Sequence, residues 1–496
     1  MSGIRVTYSG LISFSVGLIS LFTGLVFTLI VTRRLSPEEF GTWGLIGSLL
    51  VYPLIIQPII GYWATREIAR GEKSARTSLL TSGYFSVGSS ILYILIAYIV
   101  SVESNASFDI LLLAVLLIPS QFIQRALADI NLGWKPHAIS FSSVGFESVK
   151  IPAGILLVYF LDWGITGAII TTLIAHLSSI VILGWYAREK LVDKFQIQYV
   201  KKWVKFSWIP LYGNLQNTIH ALDVVIFTIV TGSVIGLAYW SSAIAVSYIV
   251  GHAGSVSQAL YSKLVSGGKK EHIEENLVTV LYFAIPLCFL SIVFAKPGLF
   301  ALNPLYVDAF PIVIIMSIKV LVMLIRGVFD SALSGLEKID IDKEATWKNY
   351  IKSKLFFLPT LKNIHHGIYI ISLTIVLLIL SQNNIKELDL VFYWSIIALV
   401  IQVPFTIYSY YLASGNFEFK KYTNNIVKYM ITSILVFGVT YFLIENFVVY
   451  KESIFEFLPQ ILILVGFTAI SYITITYFID SRTKKMINSI KSELFN

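Results

Sequence analysis

Apolar runs of about twenty residues recur from end to end of this 496-residue chain. Each is long enough to cross the ~30 Å hydrocarbon layer of a bilayer as an α-helix. Backbone amides must be satisfied internally in lipid, so only helices and closed barrels can span it. Barrel strands would read as short alternating segments, not continuous runs. The chain is therefore expected to be an all-α polytopic membrane protein. Its composition, 56% hydrophobic and only 13% charged, excludes a soluble globular domain.

Fourteen spans are expected, at about 8–32, 40–63, 77–101, 108–130, 138–161, 164–186, 206–231, 234–262, 275–296, 308–336, 364–382, 388–414, 426–448 and 455–479. The first run is too long for a signal-peptide core and no small-residue cleavage site follows it, so it reads as a retained helix. Tight turns at Leu161–Gly164 and Thr231–Val234 use glycine for the reversal. Most of the 37 basic residues then fall on one side: Arg5, Arg66, Arg70, Lys73, Arg76, Lys135, and the lysine-rich stretches 188–205, 263–270, 338–362, 420–428 and 482–491. Only Arg33, Arg34, Lys296, Lys386 and Lys451 fall on the other. The positive-inside rule makes the first side cytoplasmic and places both termini there, in the plasma membrane. The net charge of +8 follows from this bias, so no nucleic-acid partner is expected. Cys288 is the only cysteine, which excludes a disulfide framework and a thiolate metal site. No cofactor is expected.

Two cytoplasmic connectors are long. Residues 187–205 carry Leu191, Phe195, Tyr199 and Trp203 at helical spacing between lysines, and 337–363 do the same with Trp347, Ile351, Leu355 and Leu358. Both read as amphipathic helices on the leaflet surface, lysines toward anionic head groups. A faint internal repeat relates Leu35–Trp43 to Gly232–Trp240. It suggests an N-terminal six-helix lobe at 1–186, the connector 187–205, a second lobe at 206–415, and two trailing helices with a tail at 416–496.

Four cations interrupt the apolar runs: Arg125, Lys150, Lys319 and Arg326. Each would cost roughly 2.5–3.5 kcal/mol at the centre of a lipid-facing helix, so they must face water, a partner or a ligand. Glu147 lies one turn before Lys150, Asp129 one turn after Arg125, and Asp330 one turn after Arg326. Asp223, with His220 one turn before it, is a fourth acid within an apolar run. These acids and cations match in number, so a cavity holding them would be near neutral when empty. Arg125 sits in the last turn of its span and can simply snorkel to the interface. Asp223 reads either as an ion-coupling site or as a counter-charge. His176 and His252 are lone membrane histidines, read first as helix-packing residues. Pro152 and Gly154 predict a kink after Lys150.

The stretch Arg33-Arg34-Leu35-Ser36-Pro37-Glu38-Glu39-Phe40-Gly41 resembles the first outer loop of the polysaccharide, or O-antigen-type, flippases of the multidrug/oligosaccharidyl-lipid/polysaccharide exporter superfamily. Lys205-Phe206-Ser207-Trp208-Ile209-Pro210-Leu211 is similar to that family's entry to the second lobe. The resemblance extends to the whole topology. It implies two lobes around a central cavity, alternating access, and a lipid-linked oligosaccharide moved from the inner to the outer leaflet. Membrane lipids, and glycosyltransferases or a polymerase of the same pathway, are the partners it implies. Cavity cations Lys150, Lys319, Arg326 and Arg125 would then hold the phosphate, since charge-assisted bonds strengthen in a low dielectric. Glu147, Asp223, Asp330 and Asp129 would serve as counter-charges or coupling groups.

Two rival readings compete with this one. A multidrug exporter of the same superfamily typically carries an acid in its first span for cation coupling, whereas residues 6–32 have no charge and the candidate cavity is partly basic. A membrane glycosyltransferase or polymerase needs a substantial outer loop, which this chain lacks. Asp340-Ile341-Asp342 is a DxD pattern of the kind that can hold a metal and a nucleotide sugar on the cytoplasmic side, but with no soluble domain around it, it reads as a solvated turn. The chain is accordingly not expected to be an enzyme.

Overall fold

The computed structural model describes residues 23–254, 270–335, 347–383, 385–415, 417–418 and 422–495. These are helical almost throughout, and no strand occurs among them. The first expected span is described only from residue 23, and the eighth only as far as 254. Arg5, Lys263, Lys269, Lys338, Lys343, Lys420, Lys421 and Asp340-Ile341-Asp342 lie outside the described residues. Ten described helices are long and apolar enough to cross a membrane, and a bent pair makes an eleventh candidate. The chain is a multi-pass membrane protein.

The helices in order are α1 (Pro37–Leu49), α2 (Val51–Leu54), α3 (Gln57–Ala69), α4 (Ala75–Val102), α5 (Phe108–Trp134), α6 (His137–Gly154), α7 (Gly164–Ala187), α8 (Ile197–Lys205), α9 (Trp208–His220), α10 (Leu222–Thr231) and α11 (Ile235–Ser247). They continue as α12 (Lys270–Val293), α13 (Ala295–Leu302), α14 (Phe310–Gly335), α15 (Trp347–Lys352), α16 (Lys354–Ser381), α17 (Glu387–Ser414), α18 (Thr423–Phe447), α19 (Ile454–Ile479) and α20 (Ser481–Phe495). Several ends fall within a few residues of expectation; Ala75–Val102 stands for 77–101 and Gly164–Ala187 for 164–186.

Among the described residues, the second, fifth and seventh spans are among those that depart from simple helices. The second is broken, α1–α2 meeting α3 at 60°. Pro53 and Pro58 each remove an amide donor there, which explains the break. The fifth loosens after Pro152 into a π-helical turn at Ile155–Phe160, where Leu161 N bonds Leu156 O at 2.9 Å. The seventh is interrupted at Ala221 without proline or glycine. Ser48 Oγ donates to the Ala221 carbonyl at 2.8 Å, and the Val224 amide donates to Asp223 Oδ1 at 2.7 Å. Those two side chains divert backbone groups from the helical ladder.

Contacts divide the chain into two compact units. One comprises Thr23–Ser241 and Lys362–Leu390; the other includes Ser242–Leu361 and Val391–Asn496 so far as they are described. This grouping follows compactness, where the sequence division at 187–205 follows topology.

In the first unit the two repeat segments lie against each other. Gly41 backs onto the Val234 carbonyl, leaving no room for a side chain. Ser36 caps α1 by accepting the Glu39 amide on its hydroxyl and donating its own amide to Glu39 Oε2; the other carboxylate oxygen of Glu39 accepts the Ile165 amide of α7 at 3.2 Å. Glu387 likewise accepts the Gly236 amide at the start of α11. Acids at these helix N-termini complement the positive end of the dipole. Gly232 ends α10 with φ +66°, and Gly164 opens α7 with φ +53°, so both expected turns use the left-handed region. The connector helix α8 docks through Trp203, whose Nε1 donates to Glu67 Oε2 at 3.1 Å, while Lys202 Nζ donates to Glu67 Oε1 at 2.8 Å.

In the second unit, α12 packs against α14 and α18, and Tyr282, Tyr429 and Tyr472 join α12, α18 and α19. Asp480 then caps α20. It accepts from Thr483 N, Thr483 Oγ1, Tyr429 OH and Asn425 Nδ2, at 2.9–3.0 Å. Burial opposes its charge, but the bonds from Thr483 and Tyr429 outweigh that and hold the carboxyl below its ordinary value.

Candidate functional site

The eight charged candidates fall into local groups, and each group lies inside one compact unit. In the first unit, Lys150 and Glu147 share a face of α6, with Nζ 3.9 Å from Glu147 Oε2. Both are half-buried. Lys150 also lies over the Phe27 ring at 4.7 Å and the Phe146 ring at 5.3 Å, which supplies the aromatic half of a cation–π contact. Arg125 of α5 is exposed. Asp129, one turn later, accepts a hydrogen bond from Gln57 Nε2 at 2.7 Å, so an amide holds this acid in place.

A polar chain runs beside these cations. Ser142 bonds Ser179, Gln124 Nε2 donates to Ser179 Oγ at 2.9 Å, and Gln124 Oε1 meets His176 Nδ1 at 2.8 Å. Arg125 and Lys150 both lie within electrostatic reach of His176, whose ring sits 5.2 Å from Phe146. His176 is thus a hydrogen-bonded packing residue close to the two cations. Sequence reasoning missed Gln124, Ser142, Ser179 and Gln57, because a lone buried amide or hydroxyl in an apolar run carries no local signal of its partner.

In the second unit, α14 carries Lys319, Arg326 and Asp330, 7%, 5% and 5% exposed. Lys319 and Arg326 stand about 10 Å apart along the helix axis. Arg326 Nε lies 3.6 Å from Asp330 Oδ2, and Ser409 Oγ of α17 donates to Asp330 Oδ1 at 2.9 Å. Arg326 also lies 5.5 Å from the Phe405 ring centre. Nearby on α17, Thr406 Oγ1 accepts from Gln402 Nε2 at 3.1 Å. Two deeply buried cations on one helix are costly. With one acid beside them on that helix, the α14 set is net basic.

Asp223 forms a group of its own at the α9–α10 break, where it is 1% exposed. Tyr369 OH of α16 donates to its Oδ2 at 2.9 Å, and His220 Nδ1 lies 3.7 Å from the same oxygen. No group of three or more histidine, cysteine or acidic side chains among the described residues has metal-binding geometry.

Known proteins resemble this chain both in sequence and in architecture. Residues 30–301, more than half of the chain, match the family described as polysaccharide biosynthesis protein. The chain belongs to that family.

The fold of this polysaccharide biosynthesis protein has solved counterparts. The lipid II flippase MurJ in an inward closed conformation superposes with TM-score 0.62 at 16% identity, covering 94% of this chain and 98% of that one. A multidrug resistance MATE family transporter of the MOP superfamily, inward-facing, gives 0.61 at 14% identity over 82% and 98%. A MOP superfamily transporter from Pyrococcus furiosus gives 0.50 at 13% identity over 82% and 95%. At these identities the likeness establishes the fold, that of MOP superfamily transporters. A comparison with curated proteins found no significant match.

Proposed function

We propose that the chain is a flippase that moves a polyprenyl-phosphate- or pyrophosphate-linked oligosaccharide from the inner to the outer leaflet by alternating access. The observation that carries this reading is the pair Lys319 and Arg326, 7% and 5% exposed within one apolar span. A tail of isoprene units stays in lipid, while a phosphate needs cations in a site of low dielectric. Arginine and lysine differ usefully here: the guanidinium grips two phosphate oxygens, and the ammonium acts as a point charge. Lys150 and Arg125, with Glu147 and Asp129 beside them, supply a second basic patch for the sugar–phosphate head. Phe27 and Phe146 offer ring faces. Asp330 keeps Arg326 neutralised until an anion arrives.

The reading retains fourteen spans with both termini cytoplasmic in the plasma membrane, and lobes at 1–186 and 206–415 that rock about the connector. Transport needs no nucleotide under this reading, and glycosyltransferases or a polymerase of the same pathway would supply and consume the substrate.

The test uses purified protein in vesicles with a fluorescent lipid-linked oligosaccharide, followed by quenching from outside. Wild type should flip the label, and Lys319→Ala with Arg326→Ala should lose most of that rate while remaining folded. Unchanged flipping in the double variant would remove the assignment. Efflux of cationic drugs without flipping would favour a multidrug exporter instead.

A further inference from the structure

Three of the chain's seven histidines gather near one buried carboxylate. His220 lies 3.7 Å from Asp223, its ring 5.1 Å from that of His366, and His366 is 4.7 Å from His365. Tyr369 completes the group: its hydroxyl bonds Asp223, and its ring stacks on His220 at 5.6 Å with 28° between planes. All five residues belong to one compact unit. They come from two spans, α9–α10 and α16.

Tyr369 OH and Val224 N both donate to Asp223. Hydrogen bonds alone leave a net negative charge where a carboxylate has lost its water, which is expensive. The imidazoles beside it can carry compensating charge, and theirs is the one side chain whose ordinary titration falls between about pH 5 and pH 8. Other titratable groups around the site bear on where the proton rests. Tyr52 of α2 has its hydroxyl within electrostatic reach of Asp223. Lys362 lies one turn before His366 on α16 and disfavours charge there. The helices packed on α9 and α10 bring Glu38 and Glu39 on α1, Arg66 and Glu67 on α3, and Arg76 on α4, all in first or last turns.

We propose that His220, Asp223, His366 and Tyr369 form a proton-binding site, in which one proton shared by the two imidazoles neutralises Asp223. His220 holds it for most of the time, facing the carboxylate. A second proton is opposed by the neighbouring ring and by Lys362. When the proton leaves, the attraction between His220 and Asp223 goes with it, while the tyrosine bond across to α16 stays. The site sits where the seventh span is already broken, so its charge acts at a joint and not on a continuous helix. The inference deepens the flippase reading by naming the proton as the ion bound, but its test does not use flipping.

The test is a pH titration of isotope-labelled histidine in the full-length protein in lipid bilayers, read by solid-state NMR from about pH 5 to about pH 8. Signals are assigned with His220→Gln and His366→Gln. The expected result is a coupled titration of these two rings, with the proton held to higher pH in wild type than in Asp223→Asn by about one unit. Tyr369→Phe should give a smaller shift, and His220→Gln should move the His366 titration even if Asp223→Asn fails to fold. Two rings that stay neutral over the whole range would overturn the proposal. So would a titration that neither Asp223→Asn nor His220→Gln alters.

Discussion

Arg326 and Asp330 bind each other inside an apolar span, so removing either takes a charge partner from the other. Asp330→Ala should lower stability by about 3–5 kcal/mol, since the Arg326 guanidinium loses its neighbouring carboxylate while staying buried. Asp330→Asn should cost less because Ser409 keeps a partner. Thermal unfolding of the purified protein would rank the two, and equal effects would show that the charge is unimportant. Asp480 gives a pH-dependent counterpart. An unfolded aspartate titrates near ~3.9, and the folded one lower, so its stabilisation is complete above that pH and is lost as pH falls through the folded value. Wild type should therefore lose melting temperature below about pH 4 more steeply than Asp480→Asn. What the sequence disclosed at this scale was whatever repeats within a helix turn: Arg326 with Asp330, and Lys150 with Glu147. It did not disclose Ser409, Gln57 or Tyr369, which reach their acids from 79, 72 and 146 residues away. Nothing local in a sequence ties residues that far apart.

The elements were legible wherever hydropathy alone sets them, as in α4 and α7. Their interruptions were legible only in part. Pro53 and Pro58 stood in plain view in the second span, yet an apolar run hides a bend because hydropathy is blind to direction. The interruption at Ala221 has no signal of its own, since it is made in part by Ser48 from another helix. The connector shows how one element is held. Its Trp203 and Lys202 share a single buried acid, and the hydrogen bond that Lys202 donates to Glu67 raises its ammonium above the ordinary value. On the lysine side, a raised value means that its contribution is complete below about pH 10 and is lost as pH rises through the folded value. Glu67→Ala should free α8, and trypsin should then cut after Lys201, Lys202 or Lys205 several times faster than in wild type. An unchanged cleavage rate would mean that Trp203 alone suffices to anchor it.

At the scale of the molecule, the charge asymmetry predicts which ends of the helices share a compartment. In a Cys288→Ala background, cysteines at Glu189 and at Asn105 should react with a membrane-impermeant maleimide from opposite sides. Labelling of both from one side would overturn the span count between them. Both compact units are stitched from separated stretches, because the chain leaves the first after Ser241 and returns to it for Lys362–Leu390. That threading has a consequence for synthesis. Domains tend to fold as they emerge from the ribosome, but this first unit is incomplete until residues 242–361 have already been made. Asp223 must wait in the bilayer for Tyr369 through the making of several intervening helices. During that interval the translocon or a chaperone would have to shelter a carboxylate that the finished protein keeps almost wholly out of water.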